Sequence, residues 1–329
     1  MNKNLLLLIA VFILLISLII YVNWEEEKQV YHIGILIAND SRYDKVRGLK
    51  DELETLGFYE GENTVYHEYQ SKYGEDIVYQ ASTLLANPLD IIVTAGGVET
   101  LIIKNLNPDV PVVFIGVASP EEWGLVAGHK GGSNITGIDN GQIDVIGKRL
   151  ELLAKINPKV KKIMVLTDKK APPTSIAISE TLSSIHLLDL NYDIVSIENS
   201  QEVRELISDQ NFDYQAILPL PSFVLEEVLV NELPLLKEKR IFVMGAYPEQ
   251  VEKGMYMAYG SSFYEQGVQA AHLVSKVLWG SSVTSIPIEH PERYLLKANY
   301  NSLLDIGWEL DEKKQSIFDE IIYLGEIIK

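Results

Sequence analysis

Two α/β lobes with parallel sheets, preceded by one transmembrane helix, are the architecture that this chain of 329 residues predicts. Three observations predict it. Residues 5–22 carry no charge, and eighteen residues of helix at ~1.5 Å each approach the thickness of a bilayer core. Beyond them, short β-branched apolar runs alternate with amphipathic segments, once through residues 31–116 and again through 143–243. Such alternation builds parallel sheets with helices on both faces. The third observation is the segment PVVFIGVASPEEWGLVAGHKGGSNITG at residues 111–137. There a buried strand over 112–116 stops at Ser119-Pro120, and turn residues lead into a short strand, Ile135-Thr136-Gly137. Open α/β sheets hold ligands beyond the carboxyl ends of their strands, so the loop at Ser119 is expected to face a crevice.

The elements follow in order. Residues 24–29 form an acidic tether around Glu25-Glu26-Glu27. The first lobe reads as strand 31–38, helix 43–56, strand 64–69, helix 76–86, strand 90–95, helix 98–105 and strand 112–116. The second reads as helix 143–156, strand 162–166, helix 175–188, strand 192–197, helix 203–208, strand 214–218, helix 224–236 and strand 241–243. Residues 257–262 lead back to the first lobe, which receives a helix over 263–279. Residues 287–291 cross again, leaving 294–298, 302–306 and 312–328 in the second. The expected domains are therefore an anchor at 1–23, the tether at 24–29, lobe I at 30–140 plus 262–286, and lobe II at 141–261 plus 287–329.

The apolar segment ends Leu18-Ile19-Ile20-Tyr21-Val22 instead of in small residues, which favours an uncleaved anchor over a cleavable signal. Lys3 and the amino terminus lie on one side and Glu25-Glu26-Glu27 on the other. The positive-inside bias then places residues 24–329 outside the cytoplasm, on a single-pass protein of the cell membrane. Lysine and arginine number 28 against 46 acids, a net charge of −18. Such a surface repels phosphate backbones, so no nucleic-acid partner is expected. With no cysteine, disulfides, thiolate metal sites, cysteine nucleophiles and a lipid-anchor cysteine are excluded. The six histidines form no HxH or HxxxH pair and G-x-S-x-G is absent. No metal, cofactor or catalytic residue is expected.

Pro111-Val112-Val113-Phe114, Ser119-Pro120, Gly124-Leu125-Val126 and the glycine-rich run from Gly131 to Gly137 resemble, in that order, the substrate-binding proteins of a family of ABC importers that includes tryptophan- and tyrosine-type members. The resemblance continues through Gly57 to Asn63, Asp90 to Val93, Tyr264 to Gly267, Gly280 with Ile286-Pro287, and Asn299 to Gly307. It implies a type I periplasmic-binding-protein fold with a three-strand hinge. It also implies a binding role without enzymatic chemistry, and partners in an ABC permease and its ATPase. A ligand-sensing ectodomain acting on a membrane partner is the alternative; an anchored glycosyltransferase would need phosphate-clamping bases, for which only Arg42 and Lys169 are candidates.

The expected ligand is a small polar organic solute, amino-acid-like by the family's inclination, held in the interlobe cleft. Its candidate contacts are the loops that follow strands: Asn39, Asp40 and Arg42; Gly96, Gly97 and Glu99; Ser119; then Asp168, Ser222 and Tyr247. Gly96-Gly97 opens a helix, so its N–H groups suit a carboxylate or simply make a tight turn. Asp40, Glu99 or Asp168 suits an ammonium, and Tyr247 a ring. Asp40 or Ser41 could equally cap the following helix. Relatives often carry His-Pro where Asn39 to Arg42 stands, and an acidic residue where Ser119 stands. Asn134-Ile135-Thr136 fits a glycosylation acceptor but reads better as a hinge turn.

Overall fold

The computed structural model describes residues 12–14, 29–71, 76–126, 134–323 and 326–328. Most of the expected anchor and tether lies outside the described residues, as does the turn at Gly131-Gly132-Ser133. Phe12, Ile13 and Leu14 are helical and exposed. Among the described residues no helix is long and apolar enough to cross a membrane.

The first sheet contains β1 (Tyr31–Ile37), β2 (Thr64–Gln70), β3 (Ile91–Thr94), β4 (Val112–Val117) and β5 (Ile135–Asp139), in the order β2-β1-β3-β4-β5 with every pair parallel. Its central strands are buried on both faces, which is why they are continuous apolar runs instead of alternating ones. Ile33, Ile35 and Ile37 face α1 (Tyr43–Thr55) and α10 (Phe263–Leu278). Leu36, Ile92 and Phe114 pack toward α2 (Ile77–Leu84) and α3 (Gly97–Leu106). Burial of each such side chain stabilises by ~1.5–3 kcal/mol. Helices α1 and α10 approach closely because two glycines permit it. A Cβ on Gly48 would stand 2.1 Å from the Tyr264 carbonyl oxygen, and one on Gly267 would stand 2.0 Å from that of Lys45.

The second sheet has eight strands in the order β13-β12-β11-β10-β9-β8-β6-β7. They are β6 (Lys162–Asp168), β7 (Asn191–Ile197), β8 (Ala216–Pro219), β9 (Phe242–Gly245), β10 (Met257–Gly260), β11 (Leu295–Asn299), β12 (Glu320–Tyr323) and β13 (Glu326–Ile328). Strands β6 to β10 are parallel, but β10 with β11 and β12 with β13 are antiparallel. The sheet is thus mixed at the end built by the carboxyl-terminal segment. Helices α4 (Ile146–Ile156), α5 (Thr174–Ile185) and α6 (Ser200–Ser208) cover it. The single helix expected over 224–236 is two, α7 (Phe223–Asn231) and α8 (Leu233–Glu238). Pro234 explains the break, since it lacks the N–H that a continuous helix requires there. Short helices α9 (Pro248–Glu252), α11 (Tyr300–Asp305) and α12 (Glu312–Gln315) complete the fold.

The chain crosses between the sheets three times: from β5 to α4, from β10 to α10, and from α10 to β11. The third crossing clings to the first sheet, where Asp139 N donates to the Glu289 carbonyl at 2.9 Å and Glu289 N to that of Gly137 at 3.1 Å. Ile288 sits in the first lobe's core. Thr136 is buried with its hydroxyl donating to the Ile286 carbonyl at 3.0 Å, and the Asn134 amide donates to the Pro108 and Val110 carbonyls. That geometry belongs to a turn entering a hinge strand.

Candidate functional site

Loops at the carboxyl ends of both sheets meet at a seam, and Arg42 occupies its middle. It ends the short turn Asp40–Arg42 that leads into α1 and is 5% exposed. Its Nη2 donates across the seam to Glu226 Oε2 on α7 at 2.7 Å, while Nη1 lies 3.6 Å from Glu99 Oε2 in its own lobe. Its guanidinium also stacks 4.9 Å from the Phe223 ring. Burial opposes the charge on Arg42, but Glu226 and then Glu99 outweigh it and hold the guanidinium pKa above its ordinary value. Glu99, wholly buried in the first turn of α3, accepts from Ala38 N at 2.9 Å.

Tyr247 precedes α9, with its hydroxyl donating to Glu226 Oε1 at 3.3 Å and accepting from Asn140 Nδ2 at 3.0 Å. Its ring packs on Phe263 with centroids 4.2 Å apart. Burial, then Glu226, raises its hydroxyl well above the usual range, so it stays protonated. Ser222 caps α7 by accepting from Val224 N and Leu225 N, and donates to Asp168 Oδ2 at 2.7 Å. Beneath the seam Lys45 donates to the carbonyls of Ala95 and Ile115 at 2.9 Å and of Gly116 at 3.3 Å. Burial, then the charge of Arg42, lowers its ammonium to about 7.

The interlobe space has two compartments that share Glu226. The inner one, about 30 Å³, lies between Gly97, Trp123, Asn140, Ser222 and Phe223. That volume suits a water molecule or two. The outer one, about 410 Å³, is walled by α7 and α9, Phe263 and the Asp40-Ser41 turn, and is of ligand size. Several buried polar atoms along the seam have no hydrogen-bond partner among the described residues, including Arg42 Nη1, Glu99 Oε2, Trp123 Nε1 and Glu249 Oε2. Buried polar groups are ordinarily paired, so such a concentration where two lobes meet is unusual.

Of the residues expected from sequence, Arg42, Gly97 and Ser222 line the inner compartment and Asp40 and Tyr247 the outer. Glu99 and Asp168 stand behind as partners of Arg42 and Ser222. Asn39, Gly96 and Ser119 line neither compartment. Asn39 Oδ1 accepts from the Ser41 hydroxyl at 2.6 Å. Neither Asp40 nor Ser41 caps the helix, because Asp40 accepts instead from Gln70 on β2. The side-chain face of the glycine pair is covered: a Cβ on Gly96 would stand 2.0 Å from Arg42 Nη1, and one on Gly97 2.7 Å from the Trp123 ring. Sequence reasoning missed Trp123, Phe223 and Glu226. A tryptophan in the polar loop PEEWG was a usable signal; Glu226 was one helical acid among many. Among the described residues no group of His, Asp and Glu is placed to hold a metal.

Two α/β lobes, linked by three crossings and presenting their carboxyl strand ends to each other across a polar seam, define a bilobed binding architecture. The chain belongs to the ABC transporter substrate binding protein family, which matches residues 32–316. It is 27% identical over 276 residues to the tyrosine-binding protein of Clostridioides difficile strain R20291, covering 80% of this chain and 77% of that one. A domain from Streptococcus pneumonia in complex with L-Trp matches with a TM-score of 0.81 at 17% identity, covering 89% of this chain and all (100%) of the other. A ligand-free, open substrate binding protein with adhesive properties from Clostridium difficile matches with a TM-score of 0.66 at 22% identity, covering 87% and 97%.

Proposed function

We propose that this protein is the extracytoplasmic solute-binding component of an ABC importer. It closes its two lobes on a small polar organic solute bearing an amino group, and delivers the solute to a permease driven by an ATPase. The observation that carries this reading is the buried polar seam, with Arg42 of one lobe bonded to Glu226 of the other beside a ligand-sized chamber. Acids converging on a partly apolar chamber between two lobes suit the enclosure of an ammonium. The tyrosine-binding relative and the L-Trp complex support an amine-bearing solute. The uncharged segment 5–22 supports tethering to the cell membrane with residues 24–329 on the outer side. The test is a thermal-shift screen of amines and amino acids, followed by small-angle scattering with and without the best stabiliser. The radius of gyration is expected to fall on saturation, and an unchanged radius refutes lobe closure as the working step.

A further inference from the structure

We infer that the outer chamber selects an organic amine cation with an apolar body and no carboxylate. This inference rests on the proposed solute-binding role and narrows its substrate class. The chamber is lined by four carboxylates, Asp40, Glu226, Glu227 and Glu249, against one base, Lys253, which is exposed at the rim. Glu226 is already engaged by Arg42, and Arg42 in turn by Glu226 and Glu99. Of the remaining acids, Glu249 feels the buried Lys45, but that ammonium is committed to three main-chain carbonyls and makes no ion pair with it among the described residues.

Glu249 adds an independent observation. It is 7% exposed, and its Oε1 accepts from the Ser262 hydroxyl at 2.8 Å and from Phe263 N at 2.6 Å. Its Oε2 has no partner among the described residues, and neither does Glu227 Oε2. Burial raises the Glu249 carboxyl above the ordinary range, as it does for an acid whose surroundings offer too little opposite charge to offset desolvation. A bound ammonium supplies that charge and the missing donors together. The tilted rings of Tyr247 and Phe263 and the side chain of Val230 give the apolar wall that the rest of such a molecule requires. A carboxylate placed in the same space would stand among four acids, with the rim lysine as the one base lining the chamber, and like charges repel.

Tyramine and L-tyrosine share a ring and an ammonium and differ by one carboxylate, so they make the discriminating pair. The full chain in detergent is titrated calorimetrically with each, and with Glu249→Gln and Glu227→Gln variants checked by circular dichroism. Tyramine is expected to bind at least tenfold tighter than L-tyrosine, and each variant to weaken tyramine at least tenfold. The Glu249→Gln change keeps a side-chain oxygen to accept from Ser262 and Phe263. Glu227 is half-buried, so its replacement leaves a folded variant to titrate even where that of Glu249 does not. L-tyrosine binding as tightly as tyramine, or better, overturns the cation selection while leaving solute capture standing. Tyramine binding untouched by both substitutions overturns it by placing the cation elsewhere, and no tyramine binding at all overturns it outright. Solute capture itself is judged separately, by lobe closure in scattering with any ligand from the screen.

Discussion

Arg42 is expected to act as a clasp that biases the lobes toward closure, and its removal has two separable costs. Charge-assisted hydrogen bonds contribute ~1.5–3 kcal/mol, and a guanidinium over a ring adds ~0.5–1 kcal/mol. Arg42→Met deletes both the 2.7 Å bond to Glu226 and the contact with Phe223. The closed form then loses about 2–4 kcal/mol, a roughly 30- to 900-fold fall in the closed-to-open ratio. The same change strands Glu99, which has no exposed surface and whose one ion-pair partner among the described residues is Arg42. Breaking a buried pair from one side costs ~3–5 kcal/mol, which for a lobe of this size lowers Tm by on the order of 10 °C. Glu226→Gln separates the two effects, because it turns the charged bond into a neutral one at the seam and leaves Arg42 beside Glu99. It is expected to open the lobes about tenfold with little change in Tm. The chain has no cysteine, so cysteines placed at exposed Tyr79 and Leu187, one in each lobe, can carry a fluorescent pair that reports the interlobe distance. Ligand-free distance distributions identical to wild type in both variants would falsify the clasp.

Three further outcomes are expected. Gly96→Ala puts a Cβ 2.0 Å from Arg42 Nη1, so it is expected to dislodge the guanidinium and reproduce the opening of Glu226→Gln in the same distance assay; an unopened variant contradicts the contact. Asp139 accepts from Gly141 N at 2.8 Å in the first crossing, and burial pushes its carboxyl up to about 6. A folded-state value above the unfolded one means the folded form binds the extra proton, so stability falls as pH rises from about 4 to about 6, by at most ~3 kcal/mol at ~1.36 kcal/mol per pH unit. Denaturant midpoints across that window are expected to show the slope in the wild type and to lose it in Asp139→Asn. Cell fractionation is expected to leave the protein with membranes and its amino terminus intact, whereas a soluble species beginning near residue 24 refutes the anchor.

Much of this was legible in the chain because local rules and global fold agree. The continuous apolar runs at Ile91–Thr94 and Val112–Val117 can be satisfied only in a sheet covered on both faces. Parallel order follows once each run is separated from the next by an amphipathic helix. Loops after strands are therefore readable as the place where the lobes face each other, and Arg42, Gly97, Ser222, Asp40 and Tyr247 stand along that seam. The mixed edge of the second sheet was not legible, since pairing direction depends on where a returning strand finds a free edge and not on its own residues. The Pro234 break lies where the apolar spacing runs on through Leu229, Leu233 and Leu236, so helical periodicity is silent about a one-residue interruption. Partnership was the least legible of all. Arg42 and Glu226 are 184 residues apart, and nothing in either neighbourhood marks that particular acid among 46. Sequence determines which residues stand at strand ends, because periodicity and turn chemistry act over a few neighbours. Tertiary structure alone decided that the glycine pair lies beneath Arg42 and Trp123, and that Glu249 is left with an unanswered oxygen. The first depends on how three loops of one lobe pack on each other, and the second on how α9 meets the chain where it crosses between lobes.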